Sequence, residues 1–107
     1  MKNGLYIAQF GTALDEASGV IVINYDTVMG GDSGMYYSGS IRRRDDRVEV
    51  EMTVHRHNPV SQSVFGDFDA FTLKLSGKAK GESYQFEGRA DAAPSLSFRA
   101  TLTPVAD

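Results

Sequence analysis

Apolar and polar residues trade places at every second position from Arg47 to His55. Val48, Val50, Met52 and Val54 fall on one side of an extended chain, and Arg47, Glu49, Glu51, Thr53 and His55 fall on the other. Successive side chains leave a strand on opposite faces, so a period of two predicts a half-buried β-strand, with one face in a core and one in water. The same alternation recurs along the chain. It places Tyr6, Ala8 and Phe10 together in a strand from Leu5 to Phe10, and Met35, Tyr37 and Ile41 in one from Met35 to Ile41. Further on it groups Phe71, Leu73 and Leu75, then Tyr84 and Phe86, and last Leu96, Phe98, Ala100 and Leu102. Gly39, inside the third of these strands, predicts a bend, a bulge or the close approach of another backbone.

One segment lacks the alternation. Val20 to Ile23 is an unbroken run of β-branched residues, too short for a typical helix, and reads as a strand from Gly19 to Asn24. Gly11 to Ser18 is a polar connection. Met29 to Gly34 and Gly77 to Gly81 are glycine-bearing reversals, and Asp91 to Pro94 breaks the chain. Asn58-Pro59, Val60 and Val64 four apart, and then Gly66 have the form of a short helix with an N-cap, a first-turn proline and a C-terminal glycine. At one or two turns it needs the sheet for support.

About seven short strands, each with one apolar face and joined by short turns, predict an all-β, up-and-down antiparallel meander. Left open, such a sheet would expose a wide apolar face and two edges free to pair with other chains. Closure into a barrel of about eight strands removes both problems and leaves an interior that is either filled or holds one small ligand. A flattened sandwich fits the same pattern.

Composition narrows the class. A chain of 107 residues makes one domain, and 41% hydrophobic with 23% charged residues is ordinary for a soluble globular protein. A net charge of -3, with Arg42, Arg43 and Arg44 as the only basic run, argues against nucleic acid as a partner. The chain has no cysteine, which removes thiolate chemistry and fits a reducing compartment. The opening MKNGLYIAQF reads as neither a secretory signal nor a membrane span, so the expected location is cytoplasmic.

No catalytic constellation assembles. Gly31-Asp32-Ser33-Gly34 spells the nucleophile turn of chymotrypsin-like proteases, but those enzymes need two barrels and a histidine ahead of the serine, and both histidines here follow it. His55 and His57 share a strand face as metal ligands could, yet no spacing selects a third ligand from Glu51, Asp67 or Asp69, so solvent-facing histidines are the simpler reading and no metal or cofactor is implied. Asp45 and Asp46, in a charged turn, have no walls to shift their pKa values for acid–base work. With Arg43 and Arg44 they either keep the turn soluble or contact a protein partner. The inward set Tyr6, Phe10, Tyr37, Val50, Met52, Phe71, Leu73, Phe86 and Phe98 either packs the barrel or lines a cavity in it.

Several of these pieces carry a family resemblance. Met1-Lys2-Asn3-Gly4-Leu5-Tyr6, the Gly30-Gly31-Asp32 turn followed by Tyr37-Ser38-Gly39, His55-Arg56-His57-Asn58, Ser63-Val64 and Leu73-Lys74-Leu75-Ser76-Gly77 resemble, in order and spacing, the GrlR family of negative regulators of type III secretion. The resemblance implies a lipocalin-like barrel that dimerises, has an apolar cavity, and represses by binding the transcriptional activator GrlA rather than DNA. It also implies a surface turn of sequence Glu-Asp-Glu-Asp that recognises the activator. Here that turn reads Arg43-Arg44-Asp45-Asp46, with the sign reversed at two positions, enough to switch a partner recognised by charge.

The leading function is therefore a regulator that sequesters a protein partner through an exposed barrel surface, with Arg42 to Arg47 as the candidate contact; the alternative is a carrier or sensor of a small apolar ligand, with the Asn58 to Gly66 segment as its lid. An enzyme is the weakest reading, because no nucleophile, base and orienter come together. An unfilled interior would favour the carrier, and a filled core with an apolar outer patch the protein partner.

Overall fold

The computed structural model describes all 107 residues and consists of eight antiparallel strands: β1 (Gly4–Gly11), β2 (Glu16–Asn24), β3 (Thr27–Gly31), β4 (Met35–Arg44), β5 (Arg47–Arg56), β6 (Ala70–Lys80), β7 (Ser83–Ala90) and β8 (Ala93–Ala106). Each pairs with the next, and β8 returns to β1, closing the barrel in the order in which the strands occur along the chain. Closure leaves no free edge. Of 72 backbone–backbone hydrogen bonds, 61 lie within the strands, so the ladder accounts for most of the backbone polar groups.

The alternation decides which face goes in. Val48, Val50, Met52 and Val54 of β5 are buried alongside Met35, Tyr37 and Ile41 of β4 and Phe71, Leu73 and Leu75 of β6, and all belong to one core of 21 residues. Gly39 pairs with Met52 in regular register, and a Cβ there would lie 2.2 Å from the Glu51 carbonyl oxygen. Its role is the close approach of a neighbouring backbone.

Apart from β6 running on to Lys80 where the Gly77 to Gly81 reversal was expected, three features differ from the sequence expectation. The run from Val20 to Ile23 alternates after all: Ile21 and Ile23 point inward, while Val20 and Val22 lie on the outer wall. Its strand begins at Glu16, and a further short strand, β3, occupies residues expected to form a reversal. The actual reversals are a two-residue turn at Tyr25-Asp26, with Tyr25 at a φ of 57°, and a turn at Asp32 to Gly34. The third difference is the expected helix.

Asn58 to Gly66 is not helical. The chain makes one turn in which Ser61 N–H donates to the Asn58 carbonyl, and then a tight reversal in which Ser63 and Gly66 exchange backbone hydrogen bonds. The Ser63 hydroxyl accepts from Phe65 N–H and donates to the Gly66 carbonyl. Serine side chains compete with helical bonding in this way. The two valines share no face either: Val60 is 89% exposed and Val64 5%.

Up-and-down order also fixes which connections share an end. The β2–β3, β4–β5 and β6–β7 turns cluster at one end with both termini. The β1–β2 and β3–β4 turns and the long 57–69 connection gather at the other.

Candidate functional site: a cavity inside the barrel

The aromatics do not fill the interior. A cavity of about 380 Å³ remains, and 21 of its 29 lining residues are hydrophobic. That volume falls at the small end of ligand pockets, which run from about 300 to 1,000 Å³. Eight of the nine inward residues singled out in the sequence lie on its wall. Tyr6 does not: it is buried nearer the closed end, where its hydroxyl donates to the Lys2 carbonyl. Met35, Ile21, Ile23 and Val28 complete the apolar wall.

The exposed residues along the lining, Asp15, Ser33 and Gln62 in the connections and Ala17 and Ser18 at the start of β2, all lie at one end and mark the mouth there. The 57–69 connection folds inward across that mouth. It inserts Val64 and Phe65, both buried, and the Phe65 ring stacks on Phe98 at 5.4 Å and meets Phe71 edge-on at 5.2 Å. Thr12, the only buried polar residue, donates from its hydroxyl to the Val64 carbonyl and so ties the β1–β2 connection to this plug. At the hinge of the plug, the Arg56 guanidinium donates to Asp67, Asp69 and the Ser61 carbonyl.

Beside the mouth lies a polar cluster. Asp32 Oδ1 accepts from the N–H groups of Gly34 and Met35, which shapes the β3–β4 turn, and Oδ2 accepts from the Tyr37 hydroxyl at 2.7 Å. Burial first, then the hydrogen bond to Asp32 and its charge, raise the Tyr37 phenol well above its ordinary pKa, so it remains a donor. The hydroxyl reaches Asp32 because position 19 on β2 has no side chain: a Cβ on Gly19 would lie 2.3 Å from it. The Gly-Asp-Ser-Gly sequence is thus a turn organised by an aspartate. Neither Thr12 nor the Asp32–Tyr37 pair stood out in the sequence. The one available signal for Asp32 was its place as a turn-forming residue among glycines.

The other candidates lie outside the cavity. Arg43 to Asp46 form the β4–β5 turn at the far end, where Arg43 pairs with Asp26 at 2.9 Å and donates to the Met1 carbonyl, and Arg44 pairs with Glu49 at 2.8 Å. All four residues of the turn are exposed. His55 and His57 flank Tyr36 on the outer wall, with ring centroids 5.2 and 6.5 Å from its own. His57 Nε2 lies 3.0 Å from the Asp32 carbonyl oxygen. A wider outer depression of about 920 Å³ is lined mainly by polar residues in which Glu16, Arg47, Lys78, Glu87 and Arg99 mix both signs, so it favours no one ligand charge.

The outer wall also carries an apolar patch. Val20, Val22, Met29 and Tyr36 are 45–59% exposed. The register joins them, since Val22 pairs with Met29 and with Leu5, and Gly31 links Val20 to Tyr36. No family model matches the chain, and no curated protein matches it. No helix is long and apolar enough to cross a membrane.

Proposed function

We propose that the protein is a carrier or sensor that holds one small apolar ligand inside its barrel. The observation that carries this reading is the unfilled cavity. Well-packed interiors leave few voids larger than a water molecule, whereas this one is large enough for about a dozen waters at liquid density and is walled mostly by apolar side chains. Water gains little from such walls, and an apolar guest gains burial and contacts at once. Val64 and Phe65 close the mouth, so a ligand enters or leaves as the 57–69 connection swings away. That connection has few ladder hydrogen bonds to hold it, which places it among the parts of a fold that open first.

A second reading is favoured by the patch of Val20, Val22, Met29 and Tyr36: a negative regulator of the GrlR kind that captures a protein partner, such as a transcriptional activator, or a second copy of itself. Contiguous exposed apolar surface marks interaction sites in soluble domains. The patch supports this role better than the Arg43–Asp46 turn does, because both arginines of that turn already have partners and exposed ion pairs contribute little.

Native mass spectrometry of the protein purified from its own host separates the two. The carrier reading expects a species heavier than the bare chain by one small molecule, released on denaturation. Recovery of the chain without a small molecule but with a stoichiometric protein partner would replace it with the second reading.

A further inference from the structure

The cavity wall is informative about the chemistry of the ligand's head. Asp15 and Asp32 are the only charged side chains that line it, and both are at the mouth; Met1, which carries the α-ammonium, lines it at the opposite end, among the termini. No Lys, Arg or His lines any part of it. Arg56, at the hinge of the 57–69 connection, is committed to Asp67, Asp69 and the Ser61 carbonyl. An ionised carboxyl group at the mouth would therefore give up its hydration next to two like charges, with no free cation there to replace the water. A carboxylate offers about four acceptor positions. Asp32 uses three, on Gly34 N–H, Met35 N–H and the Tyr37 hydroxyl, which leaves one for a donor that enters from the cavity. Ser33, Ser61 and Gln62 at the same rim are uncharged and both donate and accept, so they leave the choice of head to the two aspartates.

Resting on the reading that the cavity holds a ligand, we propose that the occupant is a small amphiphile whose apolar body fills the barrel and whose hydrogen-bond-donating head, an amine above all and an alcohol next, sits at Asp32, while carboxylic acids are rejected. The apolar wall accounts for the body and the one-signed mouth for the head. Fatty acids, the commonest small amphiphiles of this size, are excluded by charge rather than by volume.

The test is isothermal titration of the wild-type protein with octylamine, octanol and octanoate, which share a tail and differ in the head, alongside the neutral fluorophore phenylnaphthylamine. Octylamine is expected to bind at least tenfold tighter than octanoate, with octanol between them. Asp32→Asn keeps an acceptor for the turn while removing the charge, and should narrow the gap between amine and acid about tenfold. Asp15→Asn, at an exposed position with no structural burden beyond one local hydrogen bond to Glu16 N–H, should narrow it in the same direction. Octanoate binding as tightly as octylamine, or a gap that both variants leave unchanged, would overturn the head-group assignment while phenylnaphthylamine binding kept the cavity reading intact. Failure of all four probes to bind would overturn both.

Discussion

Val50→Asp is expected to unfold the protein. Val50 sits at the middle of β5, pairs with Ile41 on one side and Leu75 on the other, and faces the interior with 7% of its surface exposed. Its flanking inward neighbours, Ile41, Leu75, Val48 and Met52, are all apolar, so a carboxylate there would be buried without a partner, at a cost of several kcal/mol. A domain of this size has about 5–15 kcal/mol in total. Circular dichroism and urea titration would show a chain that is largely unfolded in buffer. The neighbouring Glu51→Val, on the outer wall, should move the midpoint by no more than about 0.5 kcal/mol. A folded Val50→Asp variant with the wild-type midpoint would mean that the inner and outer faces of β5 have been exchanged.

Phe65→Ala should have the second-largest effect and should read out on the ligand as well as on the fold. Truncating a buried phenylalanine costs about 3–5 kcal/mol, and Phe65 loses ring contacts with both Phe98 and Phe71. Because the residue belongs to the plug and not to the ladder, the eight strands should survive while the mouth stands open. The expected result is a lowered urea midpoint with an unchanged β-sheet spectrum, together with faster release of bound phenylnaphthylamine in stopped flow. Unchanged release at a lowered midpoint would show that the 57–69 connection packs against the barrel without controlling entry.

Most of the barrel was legible in the sequence because its signal is local. Four inward residues at a period of two, as in Val48 to Val54, announce both a strand and its buried face. β3 was not legible. Its Thr27–Gly31 sequence ends in two glycines with weak strand preference, and the turn before it is made by Tyr25 in a conformation that sequence patterns assign to Asn or Gly. The unbroken Val20–Ile23 run hid its own alternation, since both faces of that strand are apolar, one for the core and one for the outer patch. Asn58-Pro59 and Gly66 looked like the two ends of a helix, yet Ser63 between them binds the local backbone with its side chain.

The cavity wall could be read for the same reason as the strands: inward residues are interior residues wherever the barrel closes. Its polar end could not. Tyr37 meets Asp32 only because Gly19, on a strand two removed from β4, leaves the space for its hydroxyl. Thr12 and Val64 are joined across 52 positions. Such pairings depend on register and closure together, and neither is encoded within a short window of residues.

The most direct test of a ligand-holding barrel is a titration with phenylnaphthylamine of the wild-type protein beside Ala8→Phe. Ala8 is buried, lines the cavity and lies between Gly19 and Leu102 on the flanking strands, so a phenyl group there takes up the empty volume without touching the outer wall. Overpacking ordinarily costs about 1–3 kcal/mol, and the empty space should offset much of it. One saturable site is expected in the wild type, with binding weakened at least tenfold in a folded Ala8→Phe. No saturable binding to the wild type, or equal binding by both proteins, would contradict a ligand-holding barrel.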